Sequence, residues 1–196
     1  MVQILSRRQV LKSAMAVAAA GGLAVAVGGQ DAEAVAPAPF GTIHVRRLWG
    51  TRRVRQRIVG TRRYRTVTLP RTKGLYAGTE KKVLDRGGLC HWTGSAEPFA
   101  VGNCVLFGHR TSAGGPLRYS HRIKVGDPIV LTVGGTALTY FVSEKPKVIS
   151  AVDVAAVMLW GDSSRPGLTL VSCSKRNKLP TSTKYRLLIR AQASTV

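Results

Sequence analysis

Leu168-Thr169-Leu170-Val171-Ser172-Cys173-Ser174 is a run of apolar, β-branched and hydroxylated residues that ends on a thiol. That composition suits a strand buried on at least one face, with Cys173 carried at its C-terminal end. Two other stretches place reactive groups beside strand-like runs. Gly108-His109-Arg110 follows Val101-Gly102-Asn103-Cys104-Val105-Leu106-Phe107, and Tyr185-Arg186-Leu187-Leu188-Ile189-Arg190 opens on a guanidinium. A thiol, an imidazole and a guanidinium are the groups that acyl transfer through a cysteine needs.

Outward from these, Val67-Thr68-Leu69-Pro70, Leu89-Cys90-His91-Trp92, Pro128-Ile129-Val130-Leu131-Thr132-Val133 and Leu138-Thr139-Tyr140-Phe141-Val142 also read as strands, separated by Gly-, Asp- and Ser-rich turns. Val133-Gly134-Gly135-Thr136 predicts a hairpin. Helix is invited only around residues 115–121 and 152–160. The pattern predicts an all-β fold: a closed β-barrel of about eight strands with one or two short helices, because closure removes exposed edges. One core is expected from 196 residues.

The chain carries 30 Lys and Arg against 9 Asp and Glu, a formal charge of +21. Fourteen of the basic residues lie in 1–73, so a moderately basic domain follows a very basic leader. Ser6-Arg7-Arg8-Gln9-Val10-Leu11-Lys12, then a weakly apolar Ala/Gly/Val run and Ala32-Glu33-Ala34, has the layout of an export signal of the twin-arginine type. Residues 1–34 are therefore expected to be a signal peptide, or failing cleavage an N-terminal anchor, and the protein is expected to be exported to the cell envelope or beyond. Residues 35–66 are expected to be a basic linker, its arginine run disordered or else a solvated edge. Between Arg46 and Arg65 there are nine arginines and no acid, with a near-repeat in Gly50-Thr51-Arg52-Arg53-Val54-Arg55 and Gly60-Thr61-Arg62-Arg63-Tyr64-Arg65. Its partner would be an anionic envelope polymer or lipid; no base-reading motif accompanies it, so no specific nucleic acid is expected. The catalytic domain is then 67–196.

Thr169-Leu170-Val171-Ser172-Cys173 resembles the Thr-Leu-x-Thr-Cys signature of the sortases, cysteine transpeptidases that join secreted proteins to the cell wall or to one another, with Ser172 in place of the last Thr. Asn103-Cys104-Val105-Leu106-Phe107-Gly108-His109-Arg110 resembles their strand leading to the histidine, and Tyr185-Arg186-Leu187-Leu188-Ile189-Arg190-Ala191 their final strand. Gly87-Gly88-Leu89-Cys90-His91-Trp92-Thr93-Gly94-Ser95-Ala96 and Gly114-Gly115-Pro116-Leu117 lean toward class E.

The resemblance implies a sortase-type barrel with Cys173 as nucleophile, His109 as proton carrier and Arg186 as oxyanion and backbone holder. It implies a sorting-signal peptide with a Leu-Ala-x-Thr-Gly or similar motif as one substrate, and an amine of peptidoglycan or a pilin as the other. No cofactor is implied, and no acidic cluster argues for calcium. A free thiol titrates near about 8.5, so attack near neutral pH calls for a neighbouring cation. Ser172, Leu170, Val148, Ile149 and Val152 are expected to contact the substrate, the last three from the long 143–167 segment before the catalytic strand.

Each role has a rival. His91 and His121 also lie near glycine-rich turns, but only His109 has the Gly-His-Arg context. Arg190 shares the strand parity of Arg186. Arg110 would point away from His109 if that segment is extended, as a solvated or structural group. Asp127 reads as a turn former. Cys90 and Cys104 could bridge, closing a loop of about 15 residues worth roughly 3 kcal/mol, or remain two buried thiols. A cell-wall transpeptidase of the L,D class would carry a Ser-His-Gly-Cys signature, which is absent. In a pure polyanion-binding module the barrel would be only a scaffold for the arginines.

Overall fold

The computed structural model describes residues 38–160, 164–174, 180 and 184–194. The expected signal peptide lies outside the described residues. Eleven strands are present among them: β1 (Gly41–Val45), β2 (Thr51–Arg57), β3 (Tyr64–Pro70), β4 (Lys73–Ala77), β5 (Leu89–His91), β6 (Gly102–Phe107), β7 (Pro128–Val133), β8 (Thr136–Val142), β9 (Lys147–Ser150), β10 (Pro166–Ser174) and β11 (Tyr185–Ala193). Eight of them pair in the order β10-β6-β5-β4-β1-β7-β8-β11, and β11 returns to β10 to close a barrel. This is the all-β barrel predicted from the strand spacing.

Alternation along the strands assigns two faces. Ile43, Leu75, Leu106, Ile129, Tyr140, Leu168, Leu170 and Ile189 fill the barrel, each large aliphatic contributing about 1.5–3 kcal/mol on burial. Val105, Val157, Val171 and Leu188 form a second cluster on the outer face, with Trp92, Phe107 and Ile149 packed against it. A 3-10 helix, Ala151–Leu159, covers that cluster. It is pinned by buried Asn103, whose Nδ2 donates to Val157 O at 2.6 Å while its Oδ1 accepts from Thr169 Oγ1 at 2.9 Å. The segment expected to be a long loop thus contains β9 and this helix.

The β7–β8 hairpin turns where the sequence places it. Gly134 and Gly135 have φ of 55° and 83°, the left-handed pair that a tight two-residue turn requires and that β-carbons resist.

The expectation of a disordered linker over 35–66 is corrected for its described part, 38–66. β1 is a barrel strand between β4 and β7, with Ile43 and Val45 fully buried. Arg46–Trp49 forms one helical turn, in which Arg47 grips Asp127 through Nε and through Nη2 at 2.6 Å. Asp127 also accepts from the Lys124 amide at 2.8 Å, so the turn former doubles as an anchor. Both bonds hold its carboxyl below the usual range, the Arg47 bond foremost. Beyond it, β2 and β3 pair over seven residues as a separate ribbon. A ribbon spreads its arginines over two solvated faces, where water and salt screen their repulsion while the backbone pairs. Val67-Thr68-Leu69-Pro70 is a strand as predicted, but of this ribbon and not of the barrel.

Of the two readings of Cys90 and Cys104, the structure has the two buried thiols. Cys90 lies opposite Phe107 and His91 opposite Leu106, so Cys90 shares the outer face with Val105 and Phe107 while Cys104 points into the barrel. Both thiols are free and buried. Desolvation pushes Cys90 up to about 11 and Cys104 up to about 12.

His121, held at Nδ1 by Arg110 Nη2 at 3.0 Å, gives the fold a pH dependence. Burial foremost, then the Arg110 and Arg122 charges, hold its pKa below 6.5. The unfolded chain protonates it near about 6.5, so it takes up a proton on unfolding below that pH. Its contribution is therefore complete above about pH 6.5 and falls as pH drops toward the folded value. Melting temperature should decline between about pH 7 and 5, above the carboxylate range. His121→Gln should flatten that decline; an unchanged slope would assign it to another group.

Candidate active site

Strand register builds the site. β10 lies between β6, in parallel, and β11, antiparallel. Cys173 stands directly across from Arg186. On the other side Val171 is level with Phe107, and the Gly108 amide donates to Val171 O at 3.0 Å. Cys173 and Arg186 thus face each other on adjacent strands, and His109 follows two residues after the end of β6. They share one cleft of about 480 Å³ with Leu84, Trp92, Phe107, Val154 and Val171. Its walls are mostly apolar, with His109, Cys173 and Arg186 among the few polar groups on them, which suits an extended peptide with small aliphatic side chains.

His109 has a partner that sequence reasoning gave to no carboxylate. Its Nε2 lies 3.1 Å from Asp85 Oδ1, in the turn after the helix Lys81–Leu84. Lys81 holds the same carboxylate one helical turn away, and Asp85 is kept below the usual carboxylate range by Lys81 first and His109 next. The contact fixes the imidazole ring and leaves Nδ1 for proton exchange. The signal for it was the stretch Lys81-Lys82-Val83-Leu84-Asp85, an acid one turn after a lysine, which has no reading until the turn is set beside His109.

The other histidines have structural employment. His91 is buried, with Nε2 against Ala96 O at 3.0 Å and Ser95 Oγ at 3.1 Å. His121 is held by Arg110. Arg110 points to the opposite side from His109, as alternation predicted, but it is 1% exposed and not solvated. Its Nη1 donates to Cys173 O at 3.3 Å and Ser174 Oγ at 3.4 Å, buttressing the end of β10 from below. Gly108 admits this packing: a β-carbon there would lie 2.9 Å from Leu117 Cδ1.

Arg186 and Arg190 share a face, and their surroundings separate them. Arg190 is engaged by Glu144 at 3.0 Å and lies over the Trp160 ring at 4.8 Å. Arg186 lines the cleft and donates from Nη1 to Tyr185 O at 3.1 Å.

The expected substrate contacts divide. Ser172 borders the cleft, but its hydroxyl faces inward, 3.4 Å from Ser120 Oγ. Leu170 is barrel core, and alternation gives its place in the cleft to Val171. Ile149 pairs with Arg186 and packs on the outer cluster, while Val148 pairs with Leu187 and faces the other way. Val152 is 85% exposed; Val154 lines the cleft instead. The 3-10 helix has three residues per turn, so Ala151, Val154 and Val157 turn inward while Val152 faces solvent, a period that the sequence alone did not announce.

The Sortase domain family model matches residues 65–194. A curated relative, Sortase SrtE1 of Streptomyces coelicolor, is 31% identical over 136 residues, which cover 63% of this chain and 36% of that protein. The chain thus spans about a third of the length of that relative. A point mutant of sortase E from Streptomyces avermitilis superposes with a TM-score of 0.59 at 26% identity, covering 81% of this chain and 89% of the other. A lid mutant of sortase A from Corynebacterium diphtheriae gives 0.61 at 25% identity, covering 83% and 74%.

Proposed function

The chain belongs to the sortase family, and on that premise we propose that it cleaves a Leu-Ala-x-Thr-Gly-like sorting signal between Thr and Gly and joins the Thr carbonyl to an amine. The observation that carries this is the meeting of His109, Cys173 and Arg186 in one largely apolar cleft, with Cys173 paired across from Arg186.

Cys173 attacks the Thr carbonyl carbon as a thiolate, forming a C–S bond. The carbonyl oxygen becomes an oxyanion, and the Arg186 guanidinium stabilises it. As the tetrahedral centre collapses, the C–N bond to Gly breaks and His109 gives its proton to the departing amine. The thioester then meets the acceptor amine. His109 takes the amine proton, the new C–N bond forms and the Cys173 thiolate leaves. Asp85 holds the imidazole in register for both transfers. The protein would be exported by the twin-arginine route and act at the envelope, with a peptidoglycan or pilin amine as acceptor and the arginine-rich surface toward an anionic polymer.

Incubation with a Leu-Ala-x-Thr-Gly peptide and no amine should add the mass of the acyl fragment to the protein. The adduct should map to Cys173 and discharge on addition of an amine. A coupled product with no adduct at any cysteine would overturn the thioester route.

A further inference from the structure

Two clefts meet at the base of the β2–β3 ribbon, away from the Cys173 cleft. The larger, of about 550 Å³, has Arg52, Arg71 and Lys73 on its walls over Leu48 and Trp49. The smaller, of about 160 Å³, shares Leu48, Trp49 and Lys73 and continues to Pro116, Arg118 and Tyr119. Together they form one groove, roomier than a single small anion needs. No acid lines either part. Among the described residues, Arg52, Arg71, Lys73 and Arg118 form no ion pair, whereas nearby Arg47 is matched by Asp127. Four cations converging from β2, the β3–β4 turn, β4 and the loop after His109 repel one another unless an anion comes between them.

The floor is fixed. Trp49 Nε1 donates to Pro116 O at 2.9 Å, which occupies the only donor of the indole and leaves its face as an apolar platform. Positive walls over such a platform suit a chain whose charged groups alternate with neutral, hydroxylated units.

We propose that this groove binds a linear phosphodiester polymer with a polyol or sugar repeat, of the kind that a cell wall carries. The choice of a wall polymer rests on the reading of the enzyme as one that acts at the envelope. A bilayer would meet the projecting faces of the ribbon and not a recess beside it. A single-stranded nucleic acid stacks successive bases on successive rings, but Tyr119 is already covered by Arg122 at 4.6 Å, leaving one platform. Bound there, the polymer touches the loop that Trp49 clasps at Pro116. That loop begins at His109, whose carbonyl accepts from the Leu117 amide at 3.0 Å, so the catalytic end is held alongside the polymer.

The test uses the full chain and poly(glycerol phosphate) as probe, with affinity measured by calorimetry at two salt concentrations. Arg52→Ala/Arg71→Ala/Arg118→Ala should weaken binding at least about tenfold. Arg53→Ala/Arg62→Ala/Arg63→Ala removes the same charge from the other face and the tip of the ribbon, and should weaken it no more than about threefold. Equal losses from the two triples would overturn the groove in favour of diffuse attraction. Tighter binding to phosphatidylglycerol vesicles or to a single-stranded oligonucleotide than to the polymer would overturn the choice of ligand. All six arginines are exposed, so both triples should fold and should couple a short peptide in solution as the parent does. Loss of that coupling in the parent would instead count against the transpeptidase reading, which keeps the two failures apart.

Discussion

Replacing Cys173 by alanine should lower the coupling of a sorting-signal peptide to an amine by roughly 10⁴-fold or more, because removal of a nucleophile that works as one unit with its neighbours forfeits nearly all of the covalent route. No other thiol can stand in. Cys90 and Cys104 are buried, and their thiols are pushed up to about 11 and 12. The substitution should leave the fold in place, since Cys173 faces the cleft and the strand end keeps its Arg110 bond through the Cys173 carbonyl. Melting temperature and turnover therefore separate: the first should hardly move and the second should vanish. A well-folded Cys173→Ala protein that still couples would sink the assignment.

Arg186→Ala should cost about 10²–10³ in kcat, the scale of removing one oxyanion donor, with little change in stability. Arg190→Ala should do the reverse. It breaks the contacts to Glu144 and Trp160 and should cost on the order of 1 kcal/mol of stability for a part-buried pair and ring stack, with coupling within a few-fold of the parent. Arg186→Lys restores the charge but not the planar fork, and should recover only part of the rate. If Arg190→Ala proved the slower enzyme, the oxyanion role would move down the strand.

The barrel and the gathering of Cys173, His109 and Arg186 in one cleft were legible because both depend on local pattern. Val105, Leu106 and Phe107 before His109, and Leu187, Leu188 and Ile189 after Arg186, announce strands whose ends carry chemistry. Strand parity alone assigned Arg110 to the far face. Parity could not say what filled that face, and only the docking of His121 and Ser174 turned a surface arginine into a buried strut. β1, β4 and β9 were missed for a related reason. Each is short, with few fully buried residues, and is held by neighbours remote in sequence. Asp85 escaped for want of any motif. In the arginine-rich run, charge density outweighed Val54 and Val67, which pair across the ribbon, and Ile43 and Val45, which were already in the core.

The closure of the barrel between β10 and β11, with β6 on the other flank, also orders the birth of the site in time. Cys173 and Arg186 belong to consecutive strands and come together when one hairpin zips. His109 joins only when β6 docks from far upstream, as the pairing of Arg110 with Ser174 across 64 positions records; closing so long a loop is the slower step. A half-folded chain therefore holds Cys173 and Arg186 side by side without His109. The cleft therefore gains its full set of polar groups only when the barrel is complete, so the site and the closed fold arrive together.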